Sequence, residues 1–162
     1  MTLSSGRTAS YYVDARRALL RPAGFRAAGE LIAGAARRLG AEAVGGPVMA
    51  AIPLACAAIA VPEGDGLLGF FVRKERKEHG MQRWVEGPVQ PGMRCLVVED
   101  TVTTGGSTVA AIERMREQGL EAVGGLGVVE RLAGGAEAVA AAIDGPFEAL
   151  TTVDDVYPDR PD

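Results

Sequence analysis

The residues best suited to chemistry form one uninterrupted run, Cys95-Leu96-Val97-Val98-Glu99-Asp100-Thr101-Val102-Thr103-Thr104-Gly105-Gly106-Ser107. An apolar segment passes through two acids into a turn of hydroxyls and glycines. Glycine permits positive φ and close backbone approach, hydroxyls add donors, and the free N–H groups of a helix start favour an anion. The run therefore describes a phosphate cradle. No G-x-x-x-x-G-K-[ST] occurs and no G-x-G-x-x-G opens a helix, so the phosphate belongs to a ligand other than those the Walker loop and the dinucleotide fingerprint serve. Glu99 and Asp100 stand just ahead of the cradle, where carboxylates accept hydrogen bonds from sugar hydroxyls or stabilise positive charge. A phosphate flanked by hydroxyls suggests a sugar phosphate. Ser107 alone also suits a plain helix cap, but propensity does not explain the joint order of the run.

A second run, Arg73-Lys74-Glu75-Arg76-Lys77-Glu78-His79-Gly80, carries four permanent cations, two acids and the single histidine of the chain. Arg and Lys supply charge-assisted donors to several phosphate oxygens at once, and a histidine near neutral pH donates a hydrogen bond or a proton to a leaving group. The alternative is a solvated charged turn held by Glu–Lys pairs; the cradle elsewhere in the chain favours the first.

These residues need a scaffold, and 162 residues make one domain. A net charge of −4, with 48% apolar and 23% charged residues, is that of an ordinary globular protein and disfavours bulk nucleic-acid binding. Two cysteines without a C-x-x-C pair support neither a zinc site nor a disulfide framework and fit a reducing cytoplasm. The start of the chain lacks a charged region followed by an apolar one, and no stretch reaches ~20 uninterrupted apolar residues, so neither secretion nor membrane insertion is expected.

Apolar spacing predicts a helix from Pro22 to Leu39, with Pro22 in its first turn and Gly40 as its stop. Short apolar runs predict strands at Ala43–Val44, Leu67–Val72, Cys95–Val98, Ala122–Val129 and Phe147–Val153. Helices are expected at Pro53–Val61, Thr108–Gln118 and Gly134–Ile143, with Gly134-Gly135 as a turn and Pro158–Asp162 as a short polar tail. Alternating strands and helices predict an α/β fold with a mainly parallel sheet flanked by helices. Its ligands belong beyond the carboxyl ends of the strands.

The run from Cys95 to Ser107 resembles the 5-phosphoribosyl 1-diphosphate (PRPP) motif of the type I phosphoribosyltransferases. The resemblance implies that Glu99 and Asp100 contact the ribose hydroxyls, that Thr103, Thr104, Gly105, Gly106 and Ser107 hold the 5-phosphate, and that Thr101 and Val102 complete the PRPP site. The basic run matches R-K-x-x-K-x-H-G, the loop of the orotate phosphoribosyltransferase branch. That resemblance implies diphosphate binding by Arg73, Lys74, Lys77 and His79, with Lys77, His79 and Asp100 catalytic. It also implies a homodimer whose Arg73–Gly80 loop reaches the neighbouring subunit's site. Arg131, after the apolar segment Leu126–Val129, stands where the branch places its orotate-binding arginine; considered alone it would be a surface residue. Thr103 would also touch orotate, and Leu3–Asp14 resembles the segment that wraps the base, with Tyr12 flanking its ring. Gly45–Pro53 resembles the loop that receives diphosphate.

A single domain follows, with 1–21 as a reduced N-terminal hood and 22–157 as the core. The family often carries a helix before Leu3, lysine where Ser4 stands, and lysine-glycine where Ala50-Ala51 stand. The expected reaction moves the phosphoribosyl group from PRPP to orotate, in pyrimidine synthesis, with Mg²⁺ carried mainly by PRPP rather than by a protein cage. Two alternatives remain at this point: transfer to another base, or a catalytically silent PRPP-sensing regulator.

Overall fold

The computed structural model describes residues 11–75 and 83–160. A short helix α1 (Arg16–Leu19) leads into α2 (Pro22–Arg38), then β1 (Ala43–Pro47), α3 (Ala51–Ala60) and β2 (Leu68–Val72). The two-residue strand β3 (Val85–Glu86) follows the basic run. The remainder is β4 (Arg94–Val102), α4 (Gly106–Glu117), β5 (Glu121–Glu130), α5 (Gly135–Ile143), β6 (Phe147–Thr152) and a terminal turn of helix α6 (Val153–Val156).

The strands form one sheet in the order β3-β2-β1-β4-β5-β6. All neighbours are parallel except β3, which pairs antiparallel with β2 through Phe71–Glu86 and Val72–Val85. The expected α/β architecture is thus present.

Each layer follows from the period of two along a strand. Leu96 and Val98 of β4 face a core made with α1, α2 and α3, around Leu19, Ile32, Leu54 and Ala58. Cys95 and Val97 face the opposite core, with Ile112 and Met115 of α4 and Val139 and Ile143 of α5. The alternation passes on to the next residues and separates Glu99 from Asp100. α2 and α3 approach closely because Gly29 has no side chain: a Cβ there would lie 2.4 Å from the Ala57 carbonyl oxygen.

Two differences from expectation bear on the site. β4 does not stop at Val98 but pairs with β5 as far as Thr101–Val129 and Val102–Glu130, so both acids lie within the strand. The elements α1, β3 and α6 were not anticipated, since two to four residues are too few to show periodicity. The polar segment from Pro158 follows Tyr157, which stacks edge-on against Tyr11 at 5.7 Å. Arg160 pairs with Asp154 at 2.6 Å.

Candidate active site

Four loops leave the carboxyl ends of four adjacent parallel strands, in the order β2, β1, β4, β5. With strands ~4.8 Å apart, these loops span about 14 Å, enough for a phosphorylated sugar and a second small molecule.

At the centre, β4 delivers Thr103 and Thr104 to Gly105, which opens α4 with φ of +76°. A side chain at Gly105 is excluded twice, by this left-handed backbone and by the Gly135 carbonyl oxygen, 2.8 Å from where a Cβ would sit. No side chain caps the helix start, so its first N–H groups are available to an anion. Thr101 through Thr108 line an open cavity of about 320 Å³. The run nominated from sequence as a phosphate cradle thus lines this cavity as one contiguous stretch of chain.

The two acids play different parts. Glu99 is 7% exposed on the α4 side of the sheet. Its Oε2 accepts hydrogen bonds from Ser107 Oγ at 2.9 Å and Thr108 Oγ1 at 3.2 Å, bracing the first turn of α4. Burial pushes its pKa up to about 7, against the two hydroxyls, which favour the charged form. Asp100 is half-buried on the opposite face. Burial raises its pKa too, opposed by the Thr101 N–H and the Arg16 guanidinium. Arg16 in turn donates to Asp14 Oδ1 and to Tyr12 Oη, both at 2.8 Å. Nothing in the spacing of Tyr12, Asp14 and Arg16 signalled this chain of contacts.

After β5, the Arg131 N–H donates to the Val102 carbonyl at 2.9 Å, tying the candidate acceptor cation to the end of the cradle strand. Its guanidinium lies 4.6 Å from the centre of the Tyr11 ring. The aromatic beside Arg131 is therefore Tyr11; Tyr12, nominated from sequence, is 53% exposed and turned to Arg16. In an extended segment neighbouring side chains diverge, and sequence does not say which one faces inward.

After β2, Arg73 is half-buried, with Lys74 and Glu75 exposed. These three residues share a cavity of about 270 Å³ with Val48 of the β1–α3 loop and Phe71, so that loop and the start of the basic run are neighbours. Lys77, His79 and Gly80 lie outside the described residues, as do Ser4 and the rest of 1–10.

A parallel sheet bearing a phosphate cradle after its central strand, a basic run two strands away and an arginine on the next strand defines the protein class: a type I phosphoribosyltransferase fold. No family model matches the chain. Individual proteins do. The chain is 46% identical over 156 residues to orotate phosphoribosyltransferase of Corynebacterium glutamicum, covering 96% of this chain and 84% of that one. The crystal structure of Mycobacterium tuberculosis orotate phosphoribosyltransferase with Fe(III) dicitrate superposes with a TM-score of 0.84 at 41% identity, over 97% of this chain and 89% of that one. The same enzyme in complex with PRPP superposes at 0.80 and 36% identity, over 96% and 88%. The chain belongs to the orotate phosphoribosyltransferase family.

Proposed function

We propose that the chain transfers the 5-phosphoribosyl group from PRPP to N1 of orotate, releasing diphosphate and forming orotidine 5′-phosphate in pyrimidine synthesis. The observation that carries the acceptor is Arg131, whose Nε is buried without a hydrogen-bond partner among the described residues. A buried N–H on a cation needs an acceptor, and an anionic one makes the stronger, charge-assisted bond. The carboxylate of orotate supplies one; a base without a carboxylate does not. Membership of the family supports the same reaction.

The cradle from Thr103 to Ser107 takes the 5-phosphate, Asp100 faces the ribose, and Glu99 braces the first turn of α4 behind it. As diphosphate leaves, positive charge develops on the sugar, and the fixed Asp100 carboxylate beside it stabilises that charge. Arg73 and Lys74, with Lys77 and His79 by family resemblance, hold the departing diphosphate. Thr103, Arg131 and an aromatic ring, Tyr11 rather than Tyr12, orient the base. No protein nucleophile is required.

Mg²⁺ takes oxygen donors, keeps several waters and binds largely through substrate phosphates. The residues fit that mode: Asp100 offers a half-buried carboxylate beside the cradle. When bound, the ion neutralises charge on the diphosphate.

The reading extends to the assembly. Met49, Ile52 and Ile59, in α3 and just before it, are exposed, and apolar surface of this kind supports a homodimer in which the Arg73–Gly80 loop serves the neighbouring site. Residues 22–157 act as the core, and the segment before them serves the base side of the site. Among the described residues no helix is long and apolar enough to cross a membrane, and Cys56 and Cys95 are unbridged, which supports a cytoplasmic location.

The test follows orotate absorbance on mixing the protein with PRPP and Mg²⁺. The expected result is turnover that needs every component. PRPP binding without turnover of orotate would overturn the reading in favour of another base or a binding protein.

A further inference from the structure

The C-terminal half of α4 makes contacts that neither the cradle nor the sheet requires. Arg114 Nη1 donates to the Arg73 carbonyl at 3.0 Å. The same guanidinium lies over the Trp84 ring, 4.5 Å from its centre. Trp84 Nε1 donates to Glu117 Oε2 at 2.8 Å, and the Trp84 carbonyl accepts the Arg73 N–H at 2.8 Å. One residue on, the Val85 N–H donates to Gln118 Oε1 at 3.0 Å. Arg73 is thus held at both of its backbone polar groups, by Trp84 on one side and Arg114 on the other, and its own guanidinium lies 3.6 Å from Glu86.

We propose that Arg114, Trp84 and Glu117 are positioning residues that hold Arg73, and with it the diphosphate end of the site, at a set distance from the 5-phosphate cradle. Both ends rest on one helix. α4 begins at Gly106, in the cradle, and Arg114 follows eight positions later, about 12 Å along the axis at 1.5 Å per residue. A helix is stiff on this scale, so it works as a spacer between the two phosphate-binding ends.

Holding β3 in place would not by itself call for this chemistry. β3 contributes only two residues to the sheet edge, and an apolar side chain at 114 would cover the Trp84 ring equally well. Arg114 instead spends a charge-assisted donor on the backbone of the residue assigned to diphosphate. The inference rests on the reading of Arg73 as a diphosphate ligand.

The experiment compares calorimetric binding of Mg²⁺–PRPP, which engages both ends, with that of ribose 5-phosphate, which engages the cradle alone. Arg114→Met is expected to bind PRPP about tenfold more weakly, the size of one lost charge-assisted hydrogen bond, with ribose 5-phosphate affinity within twofold of the wild type. Trp84→Phe, which keeps the ring but loses the donor to Glu117, is expected to show about a threefold loss of PRPP affinity alone. Glu117→Gln, which retains an acceptor, recovers most of what Glu117→Ala loses. Equal weakening of both ligands in Arg114→Met would reveal a merely structural role, and no weakening of either would also overturn the proposal. Neither titration involves an acceptor base, so failure of the orotate reading appears separately, as wild-type protein that binds PRPP but does not consume orotate.

Discussion

The cradle and the acceptor side of the site are built in opposite ways. The cradle is eight consecutive residues, Thr101 to Thr108, whose conformation follows from a strand end, one left-handed glycine and a helix start. The proposed acceptor side brings together Tyr11, Arg131 and Tyr157 through ring contacts, a backbone hydrogen bond from Arg131 to Val102 and contacts of Arg160 with both tyrosines. A contiguous site carries its geometry in local backbone preferences. An assembled one depends on how distant segments pack.

That contrast can be broken by uncoupling the two sides. Arg131→Ala removes the half-buried cation whose Nε is unpaired among the described residues, and loss of a partner from a buried charge pair costs about 2–5 kcal/mol. The expected result is a drop of about 100-fold in kcat/KM for orotate, with PRPP affinity within twofold of the wild type by calorimetry. A comparable loss of PRPP affinity would show that the two sides are one unit.

Gly105→Ala attacks the other side. Positive φ costs a non-glycine residue about 1–2 kcal/mol, and its Cβ would meet the Gly135 carbonyl oxygen at 2.8 Å and Val139 at 3.0 Å. PRPP and ribose 5-phosphate should both weaken by about tenfold or more, with a lower Tm. Unchanged affinity for both would remove the left-handed turn from the binding argument.

Glu99 sharpens the comparison by pH. Its folded pKa of about 7 lies above its ordinary value of 4.5, so the folded state binds a proton more tightly than the unfolded state does. Its contribution to stability is full below pH ~4.5 and is lost as pH rises through ~7, by up to about 3 kcal/mol. Glu99→Gln should flatten this slope when urea unfolding is compared at pH 5 and pH 8. An identical slope in the variant would mean that the cradle's brace does not titrate in this window.

The smallest expected effect distinguishes two neighbouring tyrosines. Tyr11→Ala should raise KM for orotate about fivefold, in line with loss of a cation–π contact, whereas Tyr12→Ala, on the exposed side, should change it less than twofold in steady-state assays. The reverse order would return the base-flanking role to Tyr12.

Much of the scaffold was legible because long amphipathic or apolar segments announce themselves. The helix expected from Pro22 to Leu39 is observed at Pro22–Arg38, and the strand expected at Ala122–Val129 is observed at Glu121–Glu130. The extension of β4 through Glu99 and Asp100 was not legible, because polar residues at a sheet's carboxyl end look like loop until their partners on β5 are known. β3 was hidden for a different reason: a two-residue edge strand has no period. The staple of Arg114, Trp84 and Glu117 joins positions 30 or more residues apart in sequence, and each residue alone suits an ordinary surface.

By itself the sequence determined the order of the longer strands and helices, the hydroxyl- and glycine-rich run after β4, and the basic run after β2, because each depends on neighbours along the chain. Tertiary structure alone decided that Glu99 turns inward to Ser107 and Thr108 while Asp100 faces the other way, that Tyr11 rather than Tyr12 meets Arg131, and that α4 links the cradle to Arg73. In each case the deciding quantity is which side chain a packed sheet buries and what lies opposite it. That is fixed by contacts between segments distant in sequence, which no local spacing records.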